Sequence, residues 1–513
     1  MTAAYLARAG RRVRVIDARA HLGGHMSAFT GDGYEFDTGL HYTEADYPRA
    51  LLHPLGIDIV FHEHDPDAMF TLEFPDMTFS VPRGVEAFRE RLHAAFPEER
   101  KAVDAFLTTV GDLAAGVDAI PDRLALRQLP DTVWHTRGLV RHARSTLGGY
   151  LDTLHPSPRL RAVLCWLNGT CALPPSRLSL ITYARVVSGY LQGSYYPCGG
   201  GSAITQELAR VIREHGGEVE LGTDVSSILV NDGAVRGVRV RPASLDVAPE
   251  PARDILAPVV VSAMDIKRTF LDLLPASAVS PTLLRRVRGY EMALPLFVVY
   301  LVLDRDLRAE GHPNTTTMLF EGDDLEAMYA DAAAGGMPTQ VGAGISNASL
   351  ADADNPRLCR PGQTNLQLMT VDTARHDVWG AFPGGGRTRR YEARTQQLRD
   401  RLVSLADRDI PGIAASIAFE TTATPIAEER YMRCSGGTSY GIAATPRQSM
   451  LGRPGPKTPI SGLFLAGAST RTAHGLVGTL NGGVAAAAAV TGVPVAELLA
   501  TTSRAAASVH PVA

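Results

Sequence analysis

The residue whose placement most restricts the chemistry of this chain is glycine. Glycines stand together at Gly23-Gly24, Gly199-Gly200-Gly201, Gly216-Gly217 and Gly482-Gly483, and others bracket Gly462-Leu463-Phe464-Leu465-Ala466-Gly467 and His474-Gly475-Leu476-Val477-Gly478-Thr479. Without a Cβ, the backbone can approach a phosphate or a flat ring and turn through left-handed conformations. A strand that ends in such a turn and leads into a helix aims several N–H groups and the positive end of the helix dipole at one point, which suits an anionic ligand. Asp17 supplies a second ingredient, an acid closing the run Arg12-Val13-Arg14-Val15-Ile16. At the end of the second strand of a dinucleotide fold, an acid in this position binds the ribose hydroxyls. Asp17 is open to a second reading, a surface residue after an ordinary strand, and the glycine turns by themselves suit an anionic cofactor edge. His41 is open to two readings, a proton donor or a histidine hydrogen-bonded beneath the ligand.

Other chemistries find no support. The five cysteines, Cys165, Cys171, Cys198, Cys359 and Cys434, include no CxxC pair, so neither a zinc site nor a redox dithiol is expected. There is no GxSxG, no HExxH and no second nicotinamide-type glycine fingerprint. A net charge of −4 excludes the basic excess of a nucleic-acid binder.

The elements that must position the glycines follow from the pattern. Residues 2–9 read as a helix ended by Gly10, and 12–17 as a buried strand. Residues 83–115 read as one helix, 135–192 as further helix, and 206–214 as a helix ended by Gly216-Gly217. Short strands follow, with the turn Asn231-Asp232-Gly233 between two of them. Residues 259–262, 294–303 and 463–466 are buried strands, and a helix starts near 481. With 513 residues, more than one core is required. The glycine motifs occur at both ends and in the middle, so the predicted division is interleaved. Segments 1–74, 195–285 and 415–513 form a cofactor domain, and 75–194 and 286–414 form a substrate domain. No apolar run at the N-terminus has the form of a signal peptide or membrane anchor, and the sparse cysteines fit a reducing cytoplasm.

Leu22-Gly23-Gly24-His25-Met26-Ser27 followed by Phe36-Asp37-Thr38-Gly39-Leu40-His41-Tyr42 resembles the segment of phytoene desaturases and retinol saturases that runs along FAD. Many members of that superfamily carry Arg or Lys where this chain has His25. Tyr195-Tyr196-Pro197-Cys198-Gly199-Gly200-Gly201, leading to Gly222-Thr223-Asp224-Val225, is similar to the entry into the second half of their FAD domain. The C-terminal glycine motif matches as well. Ala172-Leu173-Pro174-Pro175-Ser176 through Gly189-Tyr190-Leu191 is closer to retinol saturases. Glu429-Arg430-Tyr431 through Ser435-Gly436-Gly437-Thr438-Ser439-Tyr440-Gly441 resembles the family's segment at the substrate end of the flavin.

The resemblance implies an α/β fold with a glutathione-reductase-like, Rossmann-type FAD domain and an interleaved substrate domain. It implies FAD contacts from Asp17, Gly23, Gly24, His25, Met26, Gly39, His41, Val225, Gly467, Gly475, Val477, Gly478 and Thr479, with Tyr440 lining the substrate site. It implies saturation or desaturation of carbon–carbon double bonds in a long apolar polyene or isoprenoid-like molecule, by hydride exchange with flavin N5. No acid–base residue is singled out, and the electron partner is left open among oxygen, a quinone, and a protein or small-molecule donor. A redox-neutral cis–trans polyene isomerase using reduced FAD remains the alternative. Amine oxidases share the FAD motifs, but the mid-chain matches argue against amine chemistry. Family members place a strand and a GxGxxG turn before the segment matched by Met1-Thr2-Ala3-Ala4-Tyr5-Leu6, so these are expected upstream of Met1. The chain as it stands is expected to hold little flavin, or to be a truncated form that no longer binds it. A substrate of this kind also implies peripheral contact with the inner face of a membrane. Arg137, Arg141, His142 and Arg144 would meet head groups while Leu139, Val140 and Leu147 dip into the interface.

Overall fold

The computed structural model describes residues 1–120, 136–243, 251–381 and 386–500. Residue 135 and the tail 501–513, both inside predicted segments, lie outside the described residues. The chain forms a glycine-rich half and a sheet-centred half, with a large cavity at their junction.

The glycine-rich half contains four short parallel strands arranged as two separate pairs. Arg14–Ile16 pairs with Glu218–Glu220, and Val260–Ser262 pairs with Leu463–Leu465. Residues of both pairs line the cavity, and among the described residues no strand joins them. Helix Thr2–Arg8 packs on helices Gly200–Glu214 and Gly475–Thr491. The crossing with the last of these is close. A Cβ on Gly483 would stand 2.6 Å from Met1 Cβ, and the Thr2 hydroxyl donates to the Gly483 carbonyl at 2.9 Å. Thr223–Asn231, Ala234–Pro242 and Arg253–Leu256 form an antiparallel sheet beside these strands. Its first turn has positive φ at Asp232 and Gly233, as a two-residue hairpin loop requires.

The other half is built on a seven-stranded sheet, in the order Ile417–Ala423, Leu296–Leu303, Thr364–Val371, Gly342–Ser346, Thr316–Phe320, Phe70–Phe74, Met77–Val81. Every pairing is antiparallel except Thr316–Phe320 with Phe70–Phe74. All eight residues of Leu296–Leu303 are buried. That is why this strand reads as an unbroken apolar run rather than an alternation. Helices Arg100–Asp118 and Leu180–Tyr190 contribute to one core with Phe70, Phe88 and Trp166, and helix Arg389–Ala406 contributes to another with Trp379. Strands Phe70–Phe74 and Ile417–Ala423 belong to this sheet although they fall just outside the expected ranges 75–194 and 286–414.

Several predicted helices have different bounds. The helix expected over 83–115 is two, Val85–Ala95 and Arg100–Asp118. Pro97 disfavours helical geometry at the residue before it, and Phe96 sits at φ −130°, ψ 65°. The stretch 135–192 holds the separate helices Leu147–Asp152, Pro158–Leu164 and Leu180–Tyr190, with prolines between them. The helices expected from 206 and 481 begin earlier, at Gly200 and Gly475. Glycine has poor helix propensity, so residue type alone does not mark either start. Among the described residues, no helix is long and apolar enough to cross a membrane.

Candidate active site

A single cavity of about 2860 Å³ runs through the junction. Its wall includes all thirteen residues expected to contact a dinucleotide, and Tyr440. The motifs, more than 400 residues apart at their extremes, converge where Asp17, after strand Arg14–Ile16, and Gly467, after strand Leu463–Leu465, both line this space.

The glycine end is built from backbone. Gly23 and Gly24 have φ of +110° and +65° and lead into the short turn Gly24–Met26. Gly475, with φ +77°, opens helix Gly475–Thr491, and a Cβ there would meet nothing within 4 Å. This helix start faces open cavity. Gly478 differs, because its Cβ position lies 2.6 Å from the Thr472 carbonyl oxygen and 2.8 Å from that of Ala473. The glycine requirement there comes from the chain's own loop. Gly39 is similarly pressed against the His25 carbonyl, at 2.8 Å. Gly467 turns at φ +85° beside the Ala263 carbonyl, and Val225 lies in strand Thr223–Asn231. Val477 and Thr479 lie in the first turns of the last helix, where the Thr479 hydroxyl donates to the Gly475 carbonyl at 2.8 Å.

Asp17 is not a free carboxylate. Arg19 donates to it from its backbone N–H at 2.9 Å and from Nε and a terminal nitrogen at 3.1 and 2.7 Å. The same guanidinium stands 3.5 Å from the Cβ position of Gly24. Arg19 therefore brings a fixed positive charge to the glycine turn. The sequence reading missed it because it was sought at position 25. His25 Nε2 lies 3.4 Å from a carboxylate oxygen of Glu428, and both atoms are shielded from solvent without a hydrogen-bond partner.

The other end is aromatic. Tyr42 meets Tyr190 edge-to-face at 5.4 Å between centroids, and Tyr440 meets His474 at 5.2 Å. His474 donates from Nε2 to the Thr170 carbonyl at 2.8 Å, which leaves Nδ1 an acceptor, shielded and without a partner. Burial, reinforced by the nearby Arg453 charge, lowers its pKa to about 4. Burial does the same at His41, whose Nδ1 is also shielded and unpartnered. Both rings are neutral at pH 7. Burial pushes the Tyr42, Tyr190 and Tyr440 hydroxyls well up, and raises the Glu44 carboxyl packed against Gly189.

Arg453 is 2% exposed and lines the same space. Its guanidinium donates to three carbonyls, those of Gln448 at 3.0 Å, Ala468 at 2.8 Å and Ile442. Among the described residues no carboxylate pairs with it, and burial lowers its pKa to about 10, so it stays charged. Tyr42, Glu44, Tyr190 and Arg453 gave no signal as cavity residues in the sequence, because single aromatics and a lone arginine are common in cores and turns.

These features fit FAD. Open glycine turns, a helix start, two cations and four orphaned polar atoms, at His25, His41, Glu428 and His474, offer what a bound anion with ring donors and acceptors would satisfy. Comparison with known proteins agrees. An all-trans-retinol 13,14-reductase from Macaca fascicularis is 28% identical, the alignment spanning 95% of this chain and 83% of the relative. A chloroplastic prolycopene isomerase from Arabidopsis thaliana is 22% identical over 92% of this chain and 77% of its own length. Among solved structures, a putrescine oxidase with putrescine bound matches in fold with a TM-score of 0.61 at 14% identity, over 96% of each chain. The sequence model of the flavin containing amine oxidoreductases matches residues 1–350. The chain belongs to that family, and it is an FAD-dependent oxidoreductase.

Proposed function

We propose that the protein exchanges hydride with carbon–carbon double bonds of a long apolar polyene or isoprenoid-like substrate. The observation that carries this reading is the continuity of the cavity from the glycine turns to the tyrosine cluster, at about 2860 Å³. One end offers glycine turns and a helix start and the other an aromatic wall, so the same space presents a dinucleotide-type region continuous with an apolar one. The names of the retinol reductase and prolycopene isomerase relatives support a polyene.

FAD, held by the glycine turns, Arg19 and the start of helix Gly475–Thr491, supplies the hydride chemistry. The chain's own groups do the rest. Tyr42, Tyr190, Tyr440 and His474 wall the aromatic end and exclude water. Burial penalises the charged forms of the three tyrosine hydroxyls and of the Glu44 carboxyl, so each keeps its proton to higher pH than an exposed counterpart. Glu44 is the group suited to deliver or take the proton at the carbon next to the hydride site. Arg453 sets a positive potential that favours an anionic ring edge.

The deciding experiment mixes flavin-loaded protein with candidate polyenes under anaerobic conditions. Reoxidation of pre-reduced flavin with loss of one double bond marks saturation, and bleaching of oxidised flavin marks desaturation. A changed isomer with unchanged flavin marks the redox-neutral reading that the prolycopene isomerase similarity favours. No change with any polyene, together with peroxide release from amines, would overturn all three.

The cytoplasm and a peripheral membrane contact complete the reading. Five free thiols support a reducing compartment. At the cavity rim Val140 is 78% and Ile120 43% exposed, next to the exposed Arg141 and Arg144. Leu139 and Leu147, expected to dip into lipid, are buried in the core instead, at 7% and 0% exposure. The contact therefore rests on Val140 and Ile120.

A further inference from the structure

Away from the cavity, three side chains of metal-binding type meet at the seam between the halves. His62 lies in strand Phe61–Glu63, paired antiparallel with Tyr195–Pro197. Cys198 follows that second strand directly, its N–H donating to the Val60 carbonyl at 2.8 Å. Asp352 comes from the other half, just after helix Ala348–Ala351. One ligand atom from each of the three lies within 4.8 Å of the other two, and His62 Nε2 is 3.8 Å from Asp352 Oδ1. In a tetrahedral zinc site ligand atoms stand roughly 3.3–3.8 Å apart, as metal–ligand bonds of about 2.0–2.3 Å dictate. Closing this cluster needs side-chain movement of about 1 Å.

We propose that His62, Cys198 and Asp352 bind a borderline-soft divalent transition metal, with zinc the best match, as a structural clip between the two halves. Asp352 is oriented for this. Its Oδ2 accepts from the Gly199 N–H at 2.8 Å and from the Asn355 amide at 3.0 Å, which leaves Oδ1 turned toward His62. Such outer hydrogen bonds fix a carboxylate ligand in metal sites. Asp352 is also a carboxylate at 3% exposure, and among the described residues no lysine or arginine nitrogen comes within 4.0 Å of it. A buried charge in this position calls for a counter-charge. A thiolate, a carboxylate and a neutral imidazole sum to −2 and match a divalent cation. Cys198 is exposed and the His62 side chain 40% exposed, so the ion has an entry path and a fourth position for water. The cysteine spacing that argued against zinc tests only ligands close in sequence, whereas these come from three distant segments. The ion would tie the ribbon 61–63/195–197 to the segment carrying Asp352, next to Gly199, which turns into helix Gly200–Glu214.

The test uses the full-length protein and needs neither flavin nor substrate. Cys165, Cys171 and Cys434 are buried and Cys359 half-buried, so alkylation at Cys198, followed peptide by peptide, reports the site. After chelator treatment, one equivalent of Zn²⁺ should slow Cys198 alkylation about 10- to 100-fold, and His62→Gln should abolish that protection. One equivalent of Co²⁺ should give a thiolate-to-cobalt absorption band that is absent in Cys198→Ser. His62 is surface-accessible, so His62→Gln keeps the fold, which an unchanged melting temperature in chelator confirms. Equal alkylation rates with and without Zn²⁺, or protection that persists in His62→Gln, would overturn the proposal.

Discussion

The two ends of the cavity are built by opposite means. At the glycine end the wall is main chain, shaped by positive φ at Gly23, Gly24, Gly467 and Gly475 and by a helix start. At the aromatic end the wall is side chain: Tyr190 stands on helix Leu180–Tyr190, Leu296 and Val298 on a sheet strand buried throughout, and Tyr42, Tyr440 and His474 on connecting segments. A main-chain wall tolerates few residue types, because a Cβ would fill the space or strain the turn. A side-chain wall tolerates many, because apolar residues of similar volume substitute for one another. The first kind of site leaves a strong mark in a sequence and the second a faint one.

The largest expected effect is at Gly475. In Gly475→Asp the acid tolerates a left-handed turn and suits a helix start, so the flavin-free fold should survive. A negative charge at the open N–H groups should weaken FAD binding about 100-fold, while Gly475→Asn, of similar shape, should lose far less. Gly478→Val offers the opposite signature. Its side chain would strike the carbonyls of Thr472 and Ala473, so the flavin-free protein itself should lose about 1–3 kcal/mol in thermal or denaturant unfolding. If Gly475→Asp retains full flavin, the helix start is not part of the cofactor site.

Next in size is Arg19. Arg19→Ala should cost about tenfold in FAD affinity and reduce the salt dependence of binding, the range expected for loss of one charge-assisted contact. Unchanged affinity and salt dependence would leave Arg19 as the partner of Asp17 alone.

The pH response should be moderate and traceable to three histidines. His41, His64 and His474 are each held near a pKa of about 4 by burial, against an ordinary value of 6.5. The folded state resists protons that the unfolded chain takes up below pH 6.5, so stability is full above that pH and falls as the pH drops toward 4. Melting temperature followed from pH 7 to 4 should decline with an uptake approaching three protons. His41→Gln and His474→Gln should each remove about one of them. A flat profile would mean that water reaches these rings.

The smallest effect concerns the rim. Val140→Glu should reduce flotation with anionic liposomes by a few-fold, about 1 kcal/mol, and leave flavin content intact. Flotation that is absent in the unaltered protein would point to delivery of the substrate by a carrier.

Legibility in the sequence followed the same division. The glycine clusters, Asp17 and the strand Leu463–Leu465 were readable because each imposes a local rule, and Asp17, Gly23, Gly24, Gly467, Gly475 and Gly478 line one cavity. Tyr42, Glu44, Tyr190 and Arg453 were not, since nothing local separates a cavity tyrosine from a packed one such as Tyr183. The early starts of helices Gly200–Glu214 and Gly475–Thr491 escaped because glycine opposes helix locally and so reads as a turn before the helix. The membership of Phe70–Phe74 and Ile417–Ala423 in the large sheet was hidden because strand pairing over hundreds of residues leaves no trace in either segment alone.

The packing of helix Gly475–Thr491 on Thr2–Arg8 also has a meaning in time. A ribosome adds about 5–20 residues per second, so roughly 25–95 s separate synthesis of the first helix from that of its partner. Through that interval Ala4, Tyr5 and Leu6, buried in the finished protein, lack the part of their cover that Gly475–Thr491 supplies. The sheet-centred half, whose strands are finished by Ala423, is complete first. The core around helix Thr2–Arg8 is therefore closed only once helix Gly475–Thr491 has been made.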